Sequence, residues 1–316
     1  MKPDLTTTIK GLKLKNPVTV ASGTFGTTDE YAGYVDPRKL GAIITKTITV
    51  KPRQGNPMPR ICETAAGMLN AIGLQNKGLE DFVEHKIPYF RKVGVPLIVS
   101  IAGESSGEFG KIGKVFDGLK DVVKAIEVNL SCPNVEAGGV NSMKKQERIV
   151  DAVKAVRDQT DLLAFAKLSP ELGDVLEIAG KVLEQGVDGI SLINTLRGMA
   201  IDLRTRSSRL AKDFGGLSGP AIKPVALRYV YQVKKAYNVP VIASGGISDA
   251  QDALEFLVAG ADLLAVGTAN FVDPRATLDI LRGIEAFCIK EKLSDLDRLR
   301  GSYVTADARK EKGGKS

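Results

Sequence analysis

The chain has no tryptophan, a single histidine (His85), three cysteines and only 5% aromatic residues in 316. Each shortage excludes something. Without aromatic residues interleaved with basic ones there is no stacking platform of the kind nucleic acids need, and no nucleic-acid partner is expected. The formal charge of +7 is then read as an attraction for anionic ligands. Part of it falls in residues 309–316, Arg-Lys-Glu-Lys-Gly-Gly-Lys-Ser, which are expected to form a disordered basic tail. Cys62, Cys132 and Cys288 are far apart and form no Cys-x-x-Cys pair, so neither a zinc site nor an iron–sulfur cluster is expected in this chain. No run approaches the ~18 apolar residues of a membrane span. The opening Met1-Lys2-Pro3-Asp4 lacks the apolar core of a secretory signal, so a cytoplasmic protein with no membrane partner is expected.

What is present is a rhythm. Short, apolar, β-favouring runs occur at Pro17 to Ala21, Ala42 to Lys46, Pro96 to Ile101, Ala125 to Leu130, Leu163 to Leu168, Gly189 to Ile193, Pro240 to Ala243 and Leu263 to Val266. Between them lie stretches with helical spacing of apolar residues, among them Leu79 to Val93, Ile149 to Val156, Val175 to Leu183, Ala221 to Val233, Ala250 to Val258 and Leu278 to Ile289. Continuously apolar strands alternating with amphipathic helices imply a parallel sheet covered on both faces. Repeated over this length, they predict a single (β/α)8 barrel spanning residues 1–308. A doubly wound open sheet is the alternative, but no strand is followed by Gly-x-Gly-x-x-Gly with an acid ~20 residues later. A hairpin around Gly11 precedes the barrel. Residues 47–78 and 194–220, rich in Gly, Pro, Arg and Asn, are read as long loops over the barrel mouth, with too few apolar residues for a core of their own.

In such a barrel the chemistry sits at the carboxyl ends of the strands. Here those ends are Ser22-Gly23-Thr24, Lys46-Thr47, Ser100, Asn129-Leu130-Ser131-Cys132-Pro133-Asn134, Lys167-Leu168-Ser169, Asn194-Thr195, Ser244-Gly245-Gly246 and Gly267-Thr268. The last two are glycine turns before helices and suit a phosphate. Lys46 and Lys167, each ending a buried strand, suit a ligand that becomes anionic, such as a reduced flavin. A thiol at Cys132 could act as base or nucleophile, and Asn129 and Asn134 could hold a planar polar ring.

These residues resemble the class 1 dihydroorotate dehydrogenases. The likeness covers nearly the whole chain. It includes Ala21-Ser22-Gly23-Thr24-Phe25-Gly26, Gly55-Asn56-Pro57-Met58-Pro59-Arg60, Asn70-Ala71-Ile72-Gly73-Leu74-Gln75-Asn76, the Asn129 to Asn134 motif, Lys167-Leu168-Ser169-Pro170 and Gly215-Gly216-Leu217-Ser218-Gly219-Pro220. The resemblance implies oxidation of dihydroorotate to orotate on FMN in pyrimidine biosynthesis, with Cys132 as the base that removes the C5 proton. It implies FMN contacts at Ser22, Lys46, Thr47, Ser100, Asn129, Lys167, Ile193, Gly219, Gly245, Gly246, Gly267 and Thr268. Substrate contacts are implied at Lys46, Asn70, Ala71, Ile72, Gly73, Leu74, Asn129, Asn134, Asn194 and Thr195. Asn194-Thr195-Leu196-Arg197-Gly198-Met199 is similar to the NAD-linked class 1B, in which a second subunit carries FAD and an iron–sulfur cluster; a homodimer or heterotetramer is expected. Ser100, by contrast, is shared with the fumarate-using homodimers.

Two rival readings are a flavin-dependent dihydropyrimidine oxidoreductase acting on uracil-like rings and a non-catalytic phosphate- or nucleic-acid-binding barrel. His85 is expected to be a surface or helix-packing residue. Cys62 and Cys288 are expected to be small packing residues.

Overall fold

The computed structural model describes residues 2–26, 29–31, 33–130 and 142–313. Its centre is an eight-stranded parallel sheet of strands Val18–Val20, Ile43–Ile44, Leu97–Ile101, Val123–Asn129, Leu163–Leu168, Gly189–Leu192, Val241–Ser244 and Leu263–Val266. Each coincides with a predicted run, and each is buried along nearly all its length, as expected for strands covered on both faces. In chain order they pair as neighbours from the second to the eighth, and the eighth pairs with the first. The gap between first and second is bridged by Gly41 N–H to Val18 O at 2.9 Å and by Thr19 Oγ1 to Ala42 O at 2.8 Å. The result is a (β/α)8 barrel.

The helices outside it are set by local signals. Asp249 accepts from the Asp252 amide at the start of Ala250–Ala259, and Gly260 ends that helix with φ +107°. Asp174 caps Val175–Leu183, and Ser105 caps Ser106–Asp117 in the same way. Their apolar faces, with the outward strand residues, make the main core.

Inside the barrel, alternate strand residues point inward, and they are layered. The lowest layer is apolar, with Ala42, Ile98, Ala125, Phe165, Ile242 and Leu263 packed in one cluster with Ile9 and Leu14. Those last two come from the antiparallel hairpin Thr7–Ile9/Leu12–Leu14, which therefore plugs the bottom of the barrel. Gly189 leaves room for Phe165: a Cβ there would stand 2.8 Å from the ring. Above this layer the inward residues Ser100, Glu127 and Ser191 are polar and fully buried.

The two long connections are not independent loops. Strands Ile61–Thr64 and Gly67–Asn70 from the first join Leu196–Gly198 and Gly215–Ser218 from the second in one four-stranded antiparallel sheet. Its small core of Cys62, Leu69 and Leu210 is shared between the two connections. Neither connection could bury these residues alone. A further hairpin, Ile201–Asp202/Ser207–Ser208, extends from the second connection. A helix over Ala306–Gly313 follows the barrel. Among the described residues no helix is long and apolar enough to cross a membrane.

Candidate active site

Between the strand ends and the lid sheet lies a cavity of about 820 Å³. Strand ends and lid supply its walls together, because the barrel's period-two pattern turns every other residue inward until the ladder stops. Of the residues singled out above, Ser22, Lys46, Thr47, Asn70, Ala71, Ile72, Gly73, Leu74, Asn129, Lys167, Ile193, Asn194, Thr195, Gly219, Gly245, Gly246, Gly267 and Thr268 all line it. Ser100 does not. It is fully buried behind Thr47, whose Oγ1 lies 3.0 Å from Ser100 Oγ and 3.0 Å from Ser22 Oγ. Cys132 and Asn134 lie outside the described residues; the strand that leads to them ends at Asn129 with its side chain in the cavity wall.

The amides form a connected set. Asn129 donates to Thr47 Oγ1 at 3.3 Å and accepts from Asn194 Nδ2 at 3.2 Å, while Asn194 Oδ1 accepts the Thr195 N–H at 2.8 Å. Asn70 reaches the same space from the lid, held by its amide on Gly216 O at 3.2 Å. Gly216 is there because a side chain would not fit: a Cβ would stand 2.2 Å from Thr195 Oγ1.

At the far end the turn Gly245-Gly246 has φ of +119° and +80°, a conformation that favours glycine. With Gly267 and Thr268 it gives the wall a stretch of bare backbone and one hydroxyl, which an anion's oxygens can approach closely. Thr268 Oγ1 also donates to Ser218 Oγ at 2.8 Å and so ties strand eight to the lid.

Both lysines reach the cavity, in different company. Burial, and secondly the charge of Arg60, pushes Lys46 below the usual lysine range. Arg60 is itself anchored by Asn56 O and Gln75 Oε1. Lys167 is buried against Glu127, with Nζ 3.5 Å from Oε1, and Ser191 Oγ donates to the other carboxylate oxygen at 2.8 Å. Sequence reasoning missed Glu127, Ser191 and Ser218. The signal for Glu127 was a lone acid inside an apolar strand, two residues before Asn129 and therefore on the same face.

The bland expectations hold. His85 is exposed on its helix with Nδ1 3.1 Å from Asp81 O, and Cys62 and Cys288 are buried free thiols.

Bare backbone, hydroxyls, amides and two ammonium groups at its mouth give the barrel a donor set able to hold a flavin mononucleotide. The dihydroorotate dehydrogenase family profile matches residues 4–288. Relatives named dihydroorotate dehydrogenase B (NAD(+)), catalytic subunit, include one from Geotalea uraniireducens (strain Rf4), 49% identical over 304 residues, covering 96% of this chain and 99% of the relative. Another, from Geotalea daltonii, is 50% identical over 301 residues, with 95% and 98% covered. A third, from Desulforamulus reducens, is 48% identical over 302 residues, with 96% and 99% covered. The chain belongs to the dihydroorotate dehydrogenase family, and it is an FMN-dependent oxidoreductase.

Proposed function

We propose that this chain is the catalytic subunit of an NAD-linked dihydroorotate dehydrogenase, oxidising dihydroorotate to orotate in the cytoplasm. It would pass electrons to a separate subunit carrying FAD and an iron–sulfur cluster, within a heterotetramer. The observation that carries the reading is the meeting of the Asn70, Asn129 and Asn194 amides with the Gly245-Gly246 turn in one cavity.

In this reading, backbone over Gly245, Gly246 and Gly267, with Thr268 and Gly219, holds the FMN phosphate. Ser22, Thr47, Asn129, Lys167 and Ile193 surround the ring, with Ser100 supporting Thr47 from behind. Bound FMN supplies the acceptor for the C6 hydride. Asn70, Asn129, Asn134 and Asn194 read the alternating carbonyl and N–H edges of the pyrimidine, with Thr195 beside them. Lys46 meets the carboxylate. The Ala71 N–H is already committed to Arg60 O at 2.7 Å, so the amides of Ile72, Gly73 and Leu74 are the ones that assist it. Cys132 takes the C5 proton; a free thiol has a pKa of ~8.5, so local stabilisation of the thiolate would speed the step near neutral pH.

The test is the reduction half-reaction. Cys132→Ser should retain FMN yet slow flavin reduction by dihydroorotate by ~10²- to 10⁴-fold at neutral pH, recovering as pH rises. An unchanged stopped-flow rate would assign the base to another group.

A further inference from the structure

Glu127 is a carboxylate with no exposure at all, in the middle of a barrel, and it does not line the cavity. Such a charge is costly unless it is paired. Pairing does not explain its presence, because apolar residues in place of a buried ion pair are often neutral or stabilising.

Its placement suggests another role. Asn129 pairs with Lys167 in register, so Glu127 lies one inward step below Lys167 on the neighbouring strand. Ser191, also level with Lys167, holds Oε2 at 2.8 Å, so the carboxylate has a fixed orientation. Its other oxygen faces Nζ at 3.5 Å, a long contact that leaves the ammonium hydrogens only partly engaged. Lys167 alone of the three reaches the cavity. Its ammonium stands between a fixed anion below and whatever develops negative charge above.

We propose that Glu127 is a positioning residue: with Ser191 it holds the Lys167 ammonium beneath the ring site and offsets part of its charge, thereby setting the reduction potential of the bound flavin. This rests on the reading of the cavity as the FMN site. A neutral flavin ring leaves the pair balanced, whereas negative charge arising at its N1–O2 edge must compete with Glu127 for the same ammonium. Removing the carboxylate charge frees that ammonium for the ring.

The experiment uses purified holoenzyme and Glu127→Gln, which keeps shape and one hydrogen-bond acceptor. Two quantities are read: the midpoint potential of the flavin, and the Kd for sulfite, which bonds to flavin N5 and moves an electron pair onto the N1–O2 edge. Glu127→Gln should bind sulfite about tenfold more tightly and raise the two-electron potential by a corresponding ~30 mV. In a Lys167→Met background the same substitution should change neither. Values within twofold of wild type, or an equal shift in the Lys167→Met background, would overturn the proposal. Should Glu127→Gln fail to fold, Glu127→Asp draws the carboxylate away from Nζ and should tighten sulfite about threefold; no change overturns the proposal equally. The two layers separate cleanly. Wild-type protein that takes up no FMN sinks the reading of the cavity and the proposal with it. Wild type that binds FMN and is reduced by dihydroorotate, beside a silent Glu127→Gln, sinks the proposal alone.

Discussion

Asn194 donates its side-chain amide to Oδ1 of Asn129 at 3.2 Å, across 65 residues of chain. Each amide fixes which edge the other presents to the cavity. In the proposed site, replacing either by alanine would remove one contact to the substrate ring together with the orientation of its partner. The expected outcome for each is orotate affinity about ten- to a hundredfold weaker, at ~1–3 kcal/mol per lost polar contact. The double substitution should cost less than the sum, since the residues act as a unit. Orotate titration followed by the flavin spectrum measures all three; strict additivity would show that the amides work independently.

Lys46 gives a pH dependence with a definite sign. Burial and Arg60 hold its folded pKa below the ordinary 10.5. The unfolded chain binds that proton more tightly, so stability of the ligand-free protein rises with pH between the lowered value and the ordinary one. If Lys46 meets the substrate carboxylate as proposed, orotate binding takes up a proton once pH exceeds the lowered pKa. Orotate affinity should fall there by up to ~tenfold per pH unit. Lys46→Met should bind more weakly and lose that pH dependence, which a series of titrations between pH 6 and 10 will reveal.

The Gly245-Gly246 turn tolerates no side chain. A Cβ on Gly246 would stand 2.7 Å from the Lys223 backbone nitrogen, at a φ of +80°. Gly246→Ala should destabilise the protein by ~1–3 kcal/mol or more and lower its FMN content. Gly94, with φ +72° and no heavy atom within 4 Å of its Cβ, provides the control. Gly94→Ala should cost ~1 kcal/mol and leave FMN content unchanged. Thermal unfolding and released-flavin assay check both; equal flavin loss in the two would remove Gly246 from the binding site.

Reading the strands from sequence succeeded for a physical reason. A strand buried on both faces must be continuously apolar, and Leu263–Val266 or Val241–Ser244 admit no other local reading once turn residues bound them. The helices were legible through the spacing of their apolar residues, and caps such as Asp174 and Asp249 fix their starts within three residues. The strand ends were legible too, because a polar residue closing an apolar run marks where the barrel opens. The lid sheet was not, since its strands Gly67–Asn70 and Gly215–Ser218 hold no apolar period of their own and pair across roughly half the chain.

By itself, then, the sequence determined the barrel, its direction and the residues at its mouth, all of which follow from local burial and turn chemistry. Only the tertiary structure decided which of those residues touch. It set Ser100 behind Thr47, tied Thr268 to Ser218, and placed Glu127 beneath Lys167. These are contacts between different strands and insertions, governed by register and barrel closure, and no window along the chain contains both partners.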